Sequence, residues 1–130
     1  MNSQMKGITI QDSIDGFLSF DLKDILAVIG PQALSSKWEI HNAECSGECS
    51  QEIHDISDTL TKISGKRLLQ LAEGLTQVIE GLFLAINNDA EKPWLRIRAV
   101  DSSGFDVTTG DPTVISKLKE HFHFVSDFVP

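Results

Sequence analysis

Residues 95–109 read LRIRAVDSSGFDVTT, two short runs on either side of a Ser-Ser-Gly turn. In the first run Leu95, Ile97 and Ala99 alternate with Arg96, Arg98 and Val100, the period of a half-buried strand. In the second, Phe105 and Val107 stand two apart. The loop length follows from the faces these residues must share. A two-residue loop at Ser103-Gly104 pairs Ser102 with Phe105 and sets Arg98 beside Phe105 and Val107. A three-residue loop pairs Asp101 with Phe105 and Ala99 with Val107, and gathers Leu95, Ile97, Ala99, Phe105 and Val107 on one apolar face. A slip of one residue turns every side chain to the wrong side, so the three-residue loop is the expectation. Gly104 then takes the left-handed position of such a loop, and Arg98 lies opposite Thr108 and diagonal to Asp106 as a polar ladder.

Working outward, Asp111-Pro112 reads as N-cap and first helical residue. Val114, Ile115, Leu118 and Phe122 form one stripe of a helix over residues 112–122. On the N-terminal side, residues 77–86 admit two readings: Leu75, Val78, Ile79 and Leu82 continue a helix period, but the density of Val, Ile, Leu and Phe with Gly74 and Gly81 favours a mostly buried strand that ends at an Asn87-Asn88-Asp89 turn. Ile53, Ile56, Leu60, Ile63, Leu68, Leu71 and Leu75 have helical spacing, with a break or bend at Gly65. Residues 38–45 read as a strand with Trp38 and Ile40 on one face and His41, Ala43 and Cys45 on the other. Asp21 caps a short helix over residues 22–29, stopped by Gly30-Pro31, and one or two short strands surround the Asp15-Gly16 turn. The sum is an α+β fold: an antiparallel sheet of about four to five strands with two or three helices packed on one face.

At 130 residues, with 41% hydrophobic and 23% charged residues, the chain fits a single domain over residues 1–130. This balance excludes a disordered or low-complexity chain, and no apolar run is long enough for a membrane span. The formal charge is −8, and it is unevenly placed. Residues 12–58 hold ten acids against only Lys23 and Lys37, so that stretch carries the whole excess. Such a charge disfavours nucleic acid, since little is present to displace the counterions of a phosphate backbone. It fits instead a basic protein partner, with Asp12, Asp15, Asp21, Asp24, Glu44, Glu48, Glu52 and Asp55 as the binding carboxylates. Solubility charge on a solvated face is the plainer alternative. The first residues lack the apolar core of a signal peptide, so the expected address is the cytoplasm, with reduced thiols.

Three constellations bear on chemistry. His41-x3-Cys45-x3-Cys49-x4-His54 offers two imidazoles and two thiols, the ligand types of tetrahedral zinc. The Cys spacing is looser than a C-x2-C knuckle and no second knuckle exists. Ordinary surface or loop residues are therefore the expectation, a Cys45–Cys49 disulfide or redox role is an alternative, and no metal or cofactor is assigned. Asp101-Ser102-Ser103 with Asp106, Arg96 and Arg98 could supply a nucleophile, an orienting carboxylate and an anion clamp. Asp and Ser are also ordinary turn residues, and the nucleophile-elbow pattern Gly-x-Ser-x-Gly is absent. His121 and His123, two apart, do not face each other on a helix.

Residues 93–111, PWLRIRAVDSSGFDVTTGD, preceded by Gln77-Val78-Ile79-Glu80-Gly81, resemble a family of small uncharacterised bacterial proteins. These share Q-x-I-D/E-G followed by P-W-L-x-I-R-A-V-D-S-S-x-F-D/E-V. The likeness covers about the last 55 residues. It implies a strand ahead of the hairpin and no particular activity.

The expectation for function is a small acidic binding module without catalysis, of which an immunity protein blocking a basic toxin is one concrete case. One alternative is a small-molecule binder or enzyme built on the Arg96, Arg98 and Asp106 sheet face, for which a concave pocket reaching a histidine is the discriminating feature. Another is a structural or homodimeric module using the apolar tail of Phe124, Val125, Phe128 and Val129.

Overall fold

The computed structural model describes residues 5–87 and 92–130, so Asn88 and Asp89 of the expected turn lie outside the described residues. The chain opens with β1 (Lys6–Ile10), a small hairpin of β2 (Ser13–Ile14) and β3 (Phe17–Leu18), then helices α1 (Leu22–Ile29) and α2 (Pro31–Leu34). The long strand β4 (Lys37–Gly47) leads to α3 (Ser50–Thr59), β5 (Ile63–Ser64) and α4 (Gly65–Glu73). There follow β6 (Leu75–Ile86), β7 (Leu95–Val100), β8 (Gly104–Thr109), α5 (Pro112–His121) and β9 (Val125–Phe128).

The main sheet has the order β5-β4-β6-β7-β8-β1-β9, and every neighbouring pair is antiparallel. It has seven strands, and β2–β3 forms a separate two-stranded sheet. The α+β class stands, but among the described residues a seven-stranded sheet and five helices replace the expected four to five strands and two or three helices. The tail accounts for one extra strand: it pairs with β1 as the edge β9. The helical run from Ile53 divides because Leu60 turns left-handed (φ 54°) and residues 63–64 pair with β4 as β5. Gly65 does not bend a helix; it is the first residue of α4, after the Ser64 cap. Leu75, expected on the helical stripe, begins β6 instead.

The β7–β8 hairpin has the expected faces and a different register. Ala99 stands opposite Phe105 and Arg98 directly opposite Asp106, two residues from the expected pairing. The three-residue loop is Asp101-Ser102-Ser103, with positive φ at Asp101 (42°) and Ser102 (60°), the signs of a type I′ turn. A two-residue shift preserves every face, so alternation by itself cannot detect it. The neighbouring strand β6 holds this turn: the Ser102 N–H donates to the Ile79 carbonyl at 3.0 Å, and the Asp101 N–H to Glu80 Oε1 at 2.7 Å. Gly104 lies in the strand, and its reason is space. A Cβ there would meet the Ile10 carbonyl oxygen at 3.0 Å.

The core lies between one sheet face and the helices. Leu95, Ile97, Ala99, Phe105 and Val107 are buried there with Ile8 and Ile10 of β1 and with Leu22, Ile25, Leu26 and Ile29 of α1. Phe20 packs between Phe105 and Phe122, with ring centroids at 5.4 and 4.9 Å. Trp38 is fully buried, and its indole N–H donates to the Ala33 carbonyl at 2.9 Å, so its burial leaves no orphaned donor. The opposite face of the sheet exposes Arg96 and Arg98, with Thr9, Asp106 and Thr108 half-buried beside them.

Candidate functional site

The eight expected partner-binding acids divide into two sets. Asp12 is buried at 8% exposure, and its carboxylate accepts the N–H groups of His123 (3.0 and 2.9 Å) and Phe124 (2.6 Å). Asp21 caps α1 and accepts the Val78 N–H at 3.1 Å, so it ties the helix start to β6. Asp24 returns a bond to the Asp21 N–H at 2.8 Å, completing a capping box. Burial pushes the Asp21 carboxyl upward, against the backbone bonds from Leu22 and Val78 that pull it down. Asp15 sits exposed at the β2–β3 turn with φ 53°. Ile14 and Phe17 flank it, exposed at 67% and 77%.

The second set lies on β4, on α3 and, for Glu48, in the turn between them; the two elements pack directly together, with the Ala43 N–H donating to the Ser57 hydroxyl at 3.1 Å and Ile53 buried in the core. Residues 38–61 contain Glu39, Glu44, Glu48, Glu52, Asp55 and Asp58 and no Lys or Arg. Glu52 pairs with Arg67 of α4, and Glu39 with Lys62 and His41. Among the described residues, Glu44, Glu48, Asp55 and Asp58 have no Lys or Arg nitrogen within 4.0 Å. All four are exposed.

The expected strand faces of residues 38–45 need correction. The β4–β6 register shifts between His41 and Glu44, where Asn42 adopts a left-handed φ of 52°. This bulge advances the alternation by one residue, so Cys45 is buried with Trp38 and Ile40 rather than beside His41. His41 bonds Glu39 at 3.2 Å, while Cys45 meets His54 of α3. The His54 Nε2 accepts the Cys45 N–H at 3.3 Å and lies 3.7 Å from its Sγ. Cys49 packs against Gly74, and both thiols are free. Spacing thus placed four candidate ligands close in sequence; the bulge turns His41 away from Cys45, and only Cys45 and His54 meet. No group of three His, Cys, Asp or Glu suited to a metal ion occurs among the described residues.

Cys45 and His54 resemble a nucleophile–base pair in distance alone. Burial, and secondarily the Asp21 carboxylate, pushes the thiol up to about 11. A reactive cysteine needs the opposite environment, one that favours thiolate. The serine constellation is likewise absorbed by the turn: the Ser103 hydroxyl donates to the Val100 carbonyl at 2.7 Å. His121 stacks edge-on against Phe122, and the His123 N–H is held by Asp12.

The bulge also shapes the open sheet face. Where β4 bends, β6 supplies Gly81 at φ 153°, and a Cβ there would meet the Phe83 ring at 3.1 Å and Ala43 Cα at 3.3 Å. The open face beside this bend carries a depression of about 230 Å³, lined by His41, Asn42, Glu80, Gly81, Leu82, Arg96 and Arg98. Among the described residues neither guanidinium has a carboxylate oxygen within 4.0 Å. Asp106, opposite Arg98, accepts the Thr9 hydroxyl at 2.7 Å instead.

No family model, curated protein or solved structure matches the chain.

The tail forms β9, in which Val125 and Phe128 are half-buried, while the flanking Phe124 and Val129 remain exposed at 67% and 95%. No helix among the described residues is long and apolar enough to cross a membrane. The sequence reading overlooked Asn42 and Gly81. Its available signal was the change of phase from Trp38 and Ile40 to Ala43 and Cys45, which marks an inserted residue.

Proposed function

We propose that this protein is a binding module without catalysis, and that it docks a basic protein partner on the surface formed by β4 and α3. The observation that carries this reading is the run of residues 38–61, with six carboxylates and no Lys or Arg, on two elements packed against each other. Four of its acids, Glu44, Glu48, Asp55 and Asp58, have no basic partner among the described residues. A one-sign surface of this kind speeds encounter with an oppositely charged protein and rejects acidic ones. The partner-binding set accordingly contracts to this second group; Asp12, Asp21 and Asp24 serve the fold. An immunity-type inhibitor of a basic toxin is the concrete case.

The test is capture of partners from the native host by the wild-type chain and by the quadruple variant E44K/E48K/D55K/D58K. A basic protein retained by the wild type, released by salt and lost by the variant supports the reading. Capture of no basic protein overturns it, and so does equal binding by the two chains.

A further inference from the structure

The depression on the open sheet face has a charge opposite to the β4–α3 surface and does not depend on it. Three features converge there. Arg96 and Arg98 stand two apart on β7, so both side chains leave the same face of the strand. The nearby carboxylates each have a partner other than the guanidiniums: Asp106 accepts from Thr9, Glu80, which lines the depression, accepts the Asp101 amide, and Glu39 pairs with Lys62 and His41. The concavity lies where the Asn42 bulge shifts the β4–β6 register beside Gly81. A guanidinium presents a planar fork of donors matched to the oxygens of a carboxylate or phosphate. The volume of about 230 Å³ lies below the roughly 300–1,000 Å³ of sites for drug-sized ligands, which limits the occupant to a small molecule.

We infer that the depression between His41, Gly81, Arg96 and Arg98 binds a small oxyanionic ligand, one bearing a phosphate or carboxylate group held by the two guanidiniums. Leu82 provides an apolar wall for the rest of the molecule, and His41 and Asn42 provide polar contacts at the rim.

The experiment is a titration of the full chain with inorganic phosphate and, separately, with succinate, followed through the His41 ring resonances by NMR. Saturable shifts are expected with at least one probe, and the probe that binds tighter identifies the ligand group. In R96Q/R98Q the affinity should fall at least tenfold, while K66A on α4 should bind as the wild type does. If R96Q/R98Q does not fold, N42D replaces it. Aspartate tolerates the left-handed backbone at this position and adds a repelling carboxylate to the rim, so it too should weaken binding tenfold. The inference is overturned if neither probe shifts His41 saturably. It is equally overturned if the charge-altered variant binds no more weakly than K66A. Neither result bears on capture of a basic protein by β4 and α3.

Discussion

Asp12 and Asp21 hold backbone amides from distant parts of the chain, whereas Glu44, Glu48, Asp55 and Asp58 face solvent with no Lys or Arg partner among the described residues. Both groups come from one acidic stretch, and composition treats them alike. Their environments differ in one respect. The first group lies where the chain leaves an N–H unpaired, at the start of α1 and at the turn from α5 into β9. An unpaired buried amide costs about 1–3 kcal/mol, so a carboxylate at such a place is held by the fold. The second group has no such amide to satisfy, which leaves it available to a partner.

The strongest way to break this division is Asp12→Ala. Two amides lose their acceptor and the C-terminal segment loses its tether, so denaturant unfolding should show a loss of about 2–3 kcal/mol. Glu48→Lys, on the exposed end of β4 and α3, should stay within about 0.5 kcal/mol of wild type. Equal losses would abolish the distinction. Asp21→Ala should cost about 1–2 kcal/mol as the loss of an N-cap. Asp21→Asn sharpens the point. Burial raises the Asp21 carboxyl, so its contribution to stability is full below the unfolded value of 3.8 and is lost as pH rises through the folded value. Asparagine keeps a capping oxygen without that penalty, and at pH 7 thermal unfolding should place Asp21→Asn much nearer wild type than Asp21→Ala.

A smaller effect reaches from Asp21 to Cys45. Burial is the main cause of the raised thiol, and the Asp21 charge adds to it. The stability due to a protonated Cys45 is complete below about 9.0 and falls away as pH rises through about 11. Thiolate absorbance in a C49S background should show Cys45 titrating lower in Asp21→Asn than in wild type, yet still above 9.0, because burial remains. The smallest expected change in stability belongs to E44K/E48K/D55K/D58K. Relief of like-charge repulsion offsets the substitutions, and circular dichroism should report an unaltered fold.

The legibility of the chain varies with the regularity of its backbone. α1 was readable because Asp21, Asp24 and Gly30 signal its ends locally and Leu22, Ile25, Leu26 and Ile29 fill one stripe. The buried face of β7–β8 was readable because both strands alternate without interruption. Their register was not, since a shift of two residues changes no face and the turn is fixed by Ile79 and Glu80 of another strand. β9 was hidden for a related reason. Residues 125–128 carry no strand pattern of their own, and they extend because β1 offers its free edge. The candidate site was legible as residue types: Arg96 and Arg98 stood out on the open face. The histidine beside them was assigned to a different set, because the bulge at Asn42 decides which way His41 and Cys45 point.

Sequence alone therefore determined the α+β class, the apolar faces of β7 and β8, the starts of α1 and α5 and the location of the excess charge. Each depends on residues within a turn or two of one another. Tertiary structure decided which acids hold the fold and which face outward, and it brought His41 beside Arg96 and Arg98. The reason is geometric: the amide that claims Asp12 belongs to His123, 111 positions along the chain, and only folding brings the two together.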